Sequence, residues 1–262
     1  METRQRERTG HGERTLGKLL KTAMQPVGTT LYLYGGGWNE ADTGAATQAR
    51  TLGPSPEWER FFRAQDERFD YRAYRDRRID VGGLGLDCSG YLGWVLYNTL
   101  ETENGREGYV MPAERCAKWL AERGFGTWTQ AGNAPVRPGD VVSVREHVWL
   151  SLGACGDGSV LILHSTPAVS RSGCPGGGVE LSAVGSDEGC AAYRLAERYM
   201  EAFYPLWYAR YPVKLADPAV YLRFVGEDAG RFSWDTAAGA LTDPDGLQDM
   251  APEAVLSWIK KL

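Results

Sequence analysis

The sequence predicts an α+β fold in which a buried helix packs against an antiparallel sheet, and three observations predict it. Cys88 is followed by Leu92, Val95, Leu96 and Thr99, the spacing of a helix with an apolar face. His147 to Gly153 and Ser159 to Ser165 are alternating runs joined by Ala154-Cys155-Gly156-Asp157-Gly158, which reads as a hairpin. Glycine supplies 33 of the 262 residues, about 13% against a usual 7% or so, so turns connect the elements.

Along the chain, Leu16, Leu19, Leu20 and Met24 recur at helical spacing, and Pro26 and Gly28 end that helix. Leu31 to Tyr34 reads as a brief strand running into Gly35-Gly36-Gly37. Ser55-Pro56 is an N-cap and first-turn pair, followed by the apolar stripe Trp58, Phe61 and Phe62. The Arg-rich run Arg63 to Arg78 reads as a solvated cover, and Gly82 to Gly85 as a flexible approach to the Cys88 helix. A second helix is predicted over Ala113 to Arg123, and a turn at Arg137-Pro138-Gly139-Asp140. Gly173 to Gly189 reads as loop, Leu195 to Tyr204 as helix, Val220 to Val225 as strand, and Ala251-Pro252-Glu253 as the start of a last helix ending near Leu262.

Composition bounds the function. Basic residues number 29 and acidic ones 34, and the net charge of −5 argues against nucleic acid as a partner. No run approaches the roughly 18 apolar residues of a membrane span. The leader, Met1 to Met24, mixes arginines with glutamates and shows no apolar signal region, which leaves the compartment open. Five cysteines without a C-x-x-C pair fit neither a disulfide scaffold nor a zinc finger. Cys174 and Cys190 flank the glycine-rich loop, either as a bridge or as two reduced thiols.

The chemistry centres on Cys88. A cysteine at a helix start meets free backbone N–H groups and the positive end of the dipole, which predicts a thiol pKa lowered to roughly 3.5–7.5. Asp87 before it is the natural N-cap. A lone cysteine beside an apolar stripe is more often packing, but the histidines add a second signal. There are three: His11 in the leader, His147 and His164. Opposed residues of an antiparallel pair have a constant number sum, so facing imidazoles at 147 and 164 require an even-numbered loop such as Ala154 to Asp157. An odd loop would send them to opposite faces. In the even case His147 accepts the thiol proton and His164 orients it, with no metal or cofactor needed. A metal site from Cys88, Cys174, Cys190, His147 and His164 matches no zinc spacing.

These residues resemble the NlpC/P60 cysteine peptidases, a family with a papain-like fold. Leu31-Tyr32-Leu33-Tyr34-Gly35-Gly36 resembles its Tyr-x-Trp-Gly-Gly segment, and Asp87-Cys88-Ser89-Gly90 matches its nucleophile motif. Arg137-Pro138-Gly139-Asp140-Val141-Val142 resembles its Pro-Gly-Asp-Leu-Val turn, His147-Val148-Trp149-Leu150-Ser151-Leu152-Gly153 its His-Val-Gly strand, and His164-Ser165 its closing histidine. The resemblance covers about residues 24 to 170. It implies one catalytic domain over 1–262, with an insertion at about 38–86 near the cleft rim and a C-terminal extension at about 171–262.

It further implies Cys88 as nucleophile, His147 as general base and His164 as third polar residue, with the Cys88 N–H as oxyanion donor. Tyr32, Asp87, Ser89 and Trp149 would stand on the substrate side, Asp87 as a structural cap and Trp149 on the same side as His147 by strand parity. The implied substrate is an amide bond in bacterial peptidoglycan stem peptides, between γ-D-glutamyl and the diamino acid, which would put the protein at the cell wall. The alternatives are a cysteine amidase or acyltransferase on another amide or ester, and a binding module with a dormant cleft.

Overall fold

The computed structural model describes residues 13–77, 83–100, 108–131 and 135–260. The charged leader with His11, the end of the Arg63–Arg78 run and Gly82, and Leu262 lie outside the described residues.

Helix α1 (Leu16–Met24) is capped by Thr15, whose hydroxyl accepts the Lys18 N–H at 3.0 Å, and buries its leucines against the core. Helix α2 (Pro56–Ala64) starts on Ser55, whose Oγ accepts the Glu57 N–H, with Pro56 in the first turn. It packs Trp58 edge-on to Trp94 and Phe62 on Trp207, so the 38–86 segment is fastened by buried aromatic rings. A 3-10 stretch, Tyr71–Arg77, then sets Tyr71 edge-on to Tyr32, ring centroids 5.1 Å apart.

Helix α3 (Cys88–Leu100) is central. Its pattern predicts one apolar face, yet every residue except Tyr97 is buried, because α1, the turn at Thr47–Arg50 and the sheet enclose it. The helix expected over Ala113–Arg123 is a 3-10 turn, Ala113–Arg115, running into α4 (Cys116–Glu122).

The seven strands are β1 (Gly126–Thr129), β2 (Val141–Val144), β3 (His147–Ala154), β4 (Val160–Val169), β5 (Pro175–Val184), β6 (Leu215–Ala216) and β7 (Gly230–Trp234). They form one sheet in the order β1-β7-β2-β3-β4-β5-β6, antiparallel throughout except for β5–β6. Helices α5 (Ala191–Phe203), α6 (Pro205–Arg210) and α7 (Pro218–Tyr221) follow β5, and α8 (Pro252–Lys260) ends the described chain. The fold is therefore α+β with an antiparallel-dominated sheet.

Three local expectations are corrected. Residues 173–189 are not mainly loop: β5 pairs with β4 over ten residues, from Val160↔Val184 to Val169↔Pro175. Its glycines serve the strand, since Gly177 holds φ 91° and a side chain there would run into the backbone of Thr166 and Ala168. Val220 to Val225 is not a strand, because Asp217 caps α7 by accepting the Ala219 N–H at 2.8 Å and Pro218 opens its first turn. Leu31 and Tyr32 make only single bridges, to Gly178 and Leu86, instead of a full strand.

The sheet carries a core on each face. Val148, Leu150, Leu161 and Leu163 join α1 and α3 in the larger one, while Val142, Val144, Trp149, Ile162 and Val184 form a smaller one with Tyr221. Strand parity places His147 and His164 on the side of the smaller core.

Candidate active site

The hairpin β3–β4 reaches the expected imidazole pairing by a different route. Its loop, Cys155 to Ser159, is odd, and Ala154 opposes Val160 and Gly153 opposes Leu161. A bulge at Leu152 then shifts the register by one, so that Ser151 opposes Ile162 and Leu150 opposes Leu163. That single extra residue returns His147 and His164 to one face, and His147 Nε2 lies 2.8 Å from His164 Nδ1. Without the bulge the odd loop would separate them.

The start of α3 is built from two motif segments touching backbone to backbone. The Asp87 N–H donates to the Gly36 carbonyl at 2.9 Å, and Gly90 is in contact with Gly36 and Gly37. The Asp87 carboxylate caps the helix by accepting the Gly90 N–H at 2.7 Å and the Ser89 hydroxyl at 3.0 Å. Ser89 Oγ in turn accepts the Trp38 indole N–H at 3.0 Å, which ties the 38–86 segment to the first turn. Burial holds the Asp87 carboxyl up at about 6 despite these donors.

Cys88 is the first residue of α3 and only 8% exposed. The backbone N–H groups of Val148, the residue after His147, of Ser89 and of Cys88 itself lie close enough to its sulfur to favour a negative charge there. These donors favour a thiolate as the helix-start argument predicts, but burial, followed by the Asp87 charge, outweighs them and pushes the thiol up to about 12. The lowered thiol pKa expected from sequence is thus corrected. Burial, followed by Lys214, draws His147 down to about 3, so the thiol and the imidazole both rest neutral. The Val148 amide lies beyond the last paired residues of β3 and β4, Leu150 and Leu163.

A second layer continues from the imidazoles into the molecule. His164 is fully buried, which pulls its pKa well down, and its Nε2 lies 2.9 Å from Ser182 Oγ. Ser182 donates to Glu180 Oε1 at 3.2 Å, and Glu180 Oε2 accepts the Trp207 indole N–H at 3.2 Å. Tyr221 lies against both imidazoles, its ring centroid 5.3 Å from that of His147 and 6.0 Å from that of His164. Lys214 donates to Thr166 Oγ1 at 2.7 Å beside them. Glu180, Ser182, Trp207, Lys214 and Tyr221 all come from the region after residue 170 and were not anticipated. The available signal was the alternation Glu180-x-Ser182-x-Val184, the period of a strand.

A cleft of about 570 Å³ opens onto Cys88. Tyr32, Trp38, Tyr71, Asp87 and Ser89 line it, so three of the four sequence-predicted substrate residues face it. Asp42, Glu114 and Glu146 add acidic walls to Asp87, with no lysine or arginine among the described lining residues. Glu146 lies in the two-residue turn before His147 with left-handed backbone, φ 59°. Tyr32 is buried beside Cys88, which raises its phenol pKa through burial first and the neighbouring thiol second.

Trp149 is a correction. It packs within the smaller core at 1% exposure, so it touches Val142, Val144 and Ile162 rather than a substrate. All five cysteines are unpaired, Cys174 at the start of the β4–β5 ladder and Cys190 at the cap of α5. Among the described residues no group of three His, Cys, Asp or Glu side chains is arranged to hold a metal ion, and no helix is long and apolar enough to cross a membrane. No family model, curated protein or solved structure matches the chain.

Proposed function

We propose that the protein is a cysteine peptidase of NlpC/P60 type, papain-like in fold, which cleaves amide bonds in bacterial peptidoglycan stem peptides, at γ-D-glutamyl-diamino acid linkages. The observation that carries this reading is the Cys88 sulfur at the Val148 amide, one residue from an imidazole whose Nε2 is already held by His164. With Nε2 occupied, Nδ1 of His147 is the nitrogen that serves the thiol. The sulfur attacks the scissile carbonyl carbon as its proton passes to His147, and the amide N–H groups around Cys88 receive the developing oxyanion. His147 then protonates the departing amine, leaving a thioester on Cys88. A water molecule, deprotonated by the same imidazole, attacks that thioester, releases the carboxylate and returns the proton to the sulfur.

The neutral resting pair makes proton transfer part of the attack, as in serine hydrolases, instead of a step completed beforehand. The acidic cleft walls suit the amine-bearing parts of a stem peptide better than its carboxylates. Purified protein incubated with defined muropeptides should release fragments identifiable by mass, and Cys88→Ala should release none while keeping the wild-type melting profile. Fragment release by Cys88→Ala at the wild-type rate would refute the assignment.

The raised thiol favours one competing reading, a module that binds its ligand in this cleft without chemistry. Saturable muropeptide binding by the wild-type chain without any product would select it.

A further inference from the structure

The geometry points to Glu180 as a positioning residue that fixes the tautomer of His147, the proposed general base, through Ser182 and His164. The inference rests on the peptidase reading for its functional meaning, but its physical content is separate.

The donor and acceptor roles follow from one end. An ionised carboxylate has only lone pairs, so Ser182 Oγ must donate to Glu180 Oε1. The single hydroxyl proton being spent there, Ser182 Oγ accepts from His164 Nε2 at 2.9 Å, which places the His164 proton on Nε2. His164 is neutral, so its Nδ1 is bare and accepts the proton on His147 Nε2 across 2.8 Å. His147, also neutral, is left with an unprotonated Nδ1. That is the form able to take a proton from Cys88. All three links beyond His147 are buried, since His164, Ser182 and Glu180 are each 1% exposed or less, so water does not scramble the order.

Reversal at the same end reverses the whole chain. A group that donates to Ser182 forces Ser182 to donate to His164 Nε2, His164 Nδ1–H to donate to His147 Nε2, and the His147 proton onto Nδ1. The Trp207 indole decides what an amide would do here. Its N–H faces Oε2, so in Glu180→Gln the amide oxygen must take that place and the amide NH₂ must face Ser182. The neutral, nearly isosteric substitution therefore supplies a donor where the carboxylate supplied an acceptor. Protonation of Glu180 acts alike. Burial raises its pKa to about 7. The titratable groups facing it are Lys214, whose charge favours the ionised form, Tyr211 and Tyr221, with His164 beyond Ser182.

The test is nitrogen-15 NMR of the histidine rings in the full chain, with muropeptide hydrolysis followed in parallel. In the wild type above pH 8, His147 should carry its proton on Nε2. In Glu180→Gln the proton should move to Nδ1, with kcat lower by on the order of 10²-fold and KM unchanged. Ser182→Ala, a small change in a strand interior, should cut the chain and leave a mixture of tautomers. The wild type, but not Glu180→Gln, should show the tautomer change as pH falls through about 7. An unchanged His147 tautomer in both variants overturns the proposal, whatever happens to activity. A tautomer change in a chain that hydrolyses no muropeptide upholds the relay and refutes the peptidase reading instead.

Discussion

At Gly90 the first turn of α3 lies directly on the Gly36 and Gly37 backbone, and a methyl group there would be driven into the Gly36 carbonyl. Both Gly36-Gly37 and Asp87-Cys88-Ser89-Gly90 carry glycine because the two segments share one contact. Gly90→Ala should therefore lower stability by about 1–3 kcal/mol, although alanine is the better helix former. A urea titration checks it, and a variant as stable as wild type would show that the loop gives way. Trp149→Ala should cost about 3–5 kcal/mol in the same assay, the value of a buried tryptophan rather than of a surface platform. Residue by residue, Cys88, His147 and His164 were legible because reactive side chains are scarce in this sequence and lie in ordered motifs. Glu180, Lys214 and Tyr221 were not, since glutamate, lysine and tyrosine are common and only the fold reveals which ones are buried beside an imidazole. The thiol pKa departs from the helix-start expectation for a related reason, because helix position is visible in sequence and burial is not.

Among the elements, α1 and α3 are legible from the spacing of their apolar residues, and others from a proline in the first turn. Ser55-Pro56 and Ala251-Pro252 announce α2 and α8, and Asp217-Pro218 announces α7 by the same device, although the apolar run after it suggested a strand. Strand β5 was hidden by its glycines, and β1 and β7 are four and five residues long, too short for a periodic pattern to stand out. The bulge at Leu152 leaves no trace in the alternation at all, yet it decides which face His164 occupies. Helix α5 shows a further device that sequence conceals, a cap supplied from another element. Asp157 Oδ2 accepts the Ala191 N–H at 2.7 Å and Ser159 Oγ accepts the Ala192 N–H at 3.0 Å, both from the β3–β4 turn. Asp157→Ala should cost about 1 kcal/mol, or roughly 2–4 °C in melting temperature, by freeing the first turn of a helix more than thirty residues away in sequence. An unchanged melting temperature would mean that solvent caps α5 as well.

The buried titratable groups of the whole molecule pull its stability in opposite directions as pH changes. Asp87 and Asp140 are raised by burial to about 6, and Glu180 to about 7, so the folded chain keeps protons there that the unfolded chain has already lost. Each therefore stabilises fully below its unfolded pKa, near 4, and loses that contribution as pH rises to its folded value. His147, drawn down to about 3, and His164, drawn lower than its ordinary value, act the other way. Unfolded imidazoles bind protons below about 6.5 while the folded ones do not, so their burial costs stability in acid, and the cost disappears as pH rises through 6.5. Because the two sets overlap between pH 4 and 7, the chain should show a shallow stability profile there although five such groups are shifted by the fold. Single variants expose the components. The stability of wild type minus that of His147→Asn should rise from pH 4 to 6.5 and level off, whereas wild type minus Glu180→Gln should fall from pH 4.5 to 7 and level off. Urea midpoints measured at half-unit intervals give both differences. Parallel slopes for the two variants would mean that these groups are not desolvated as the fold requires, and would remove the neutral His147 imidazole that the proposed proton transfer uses.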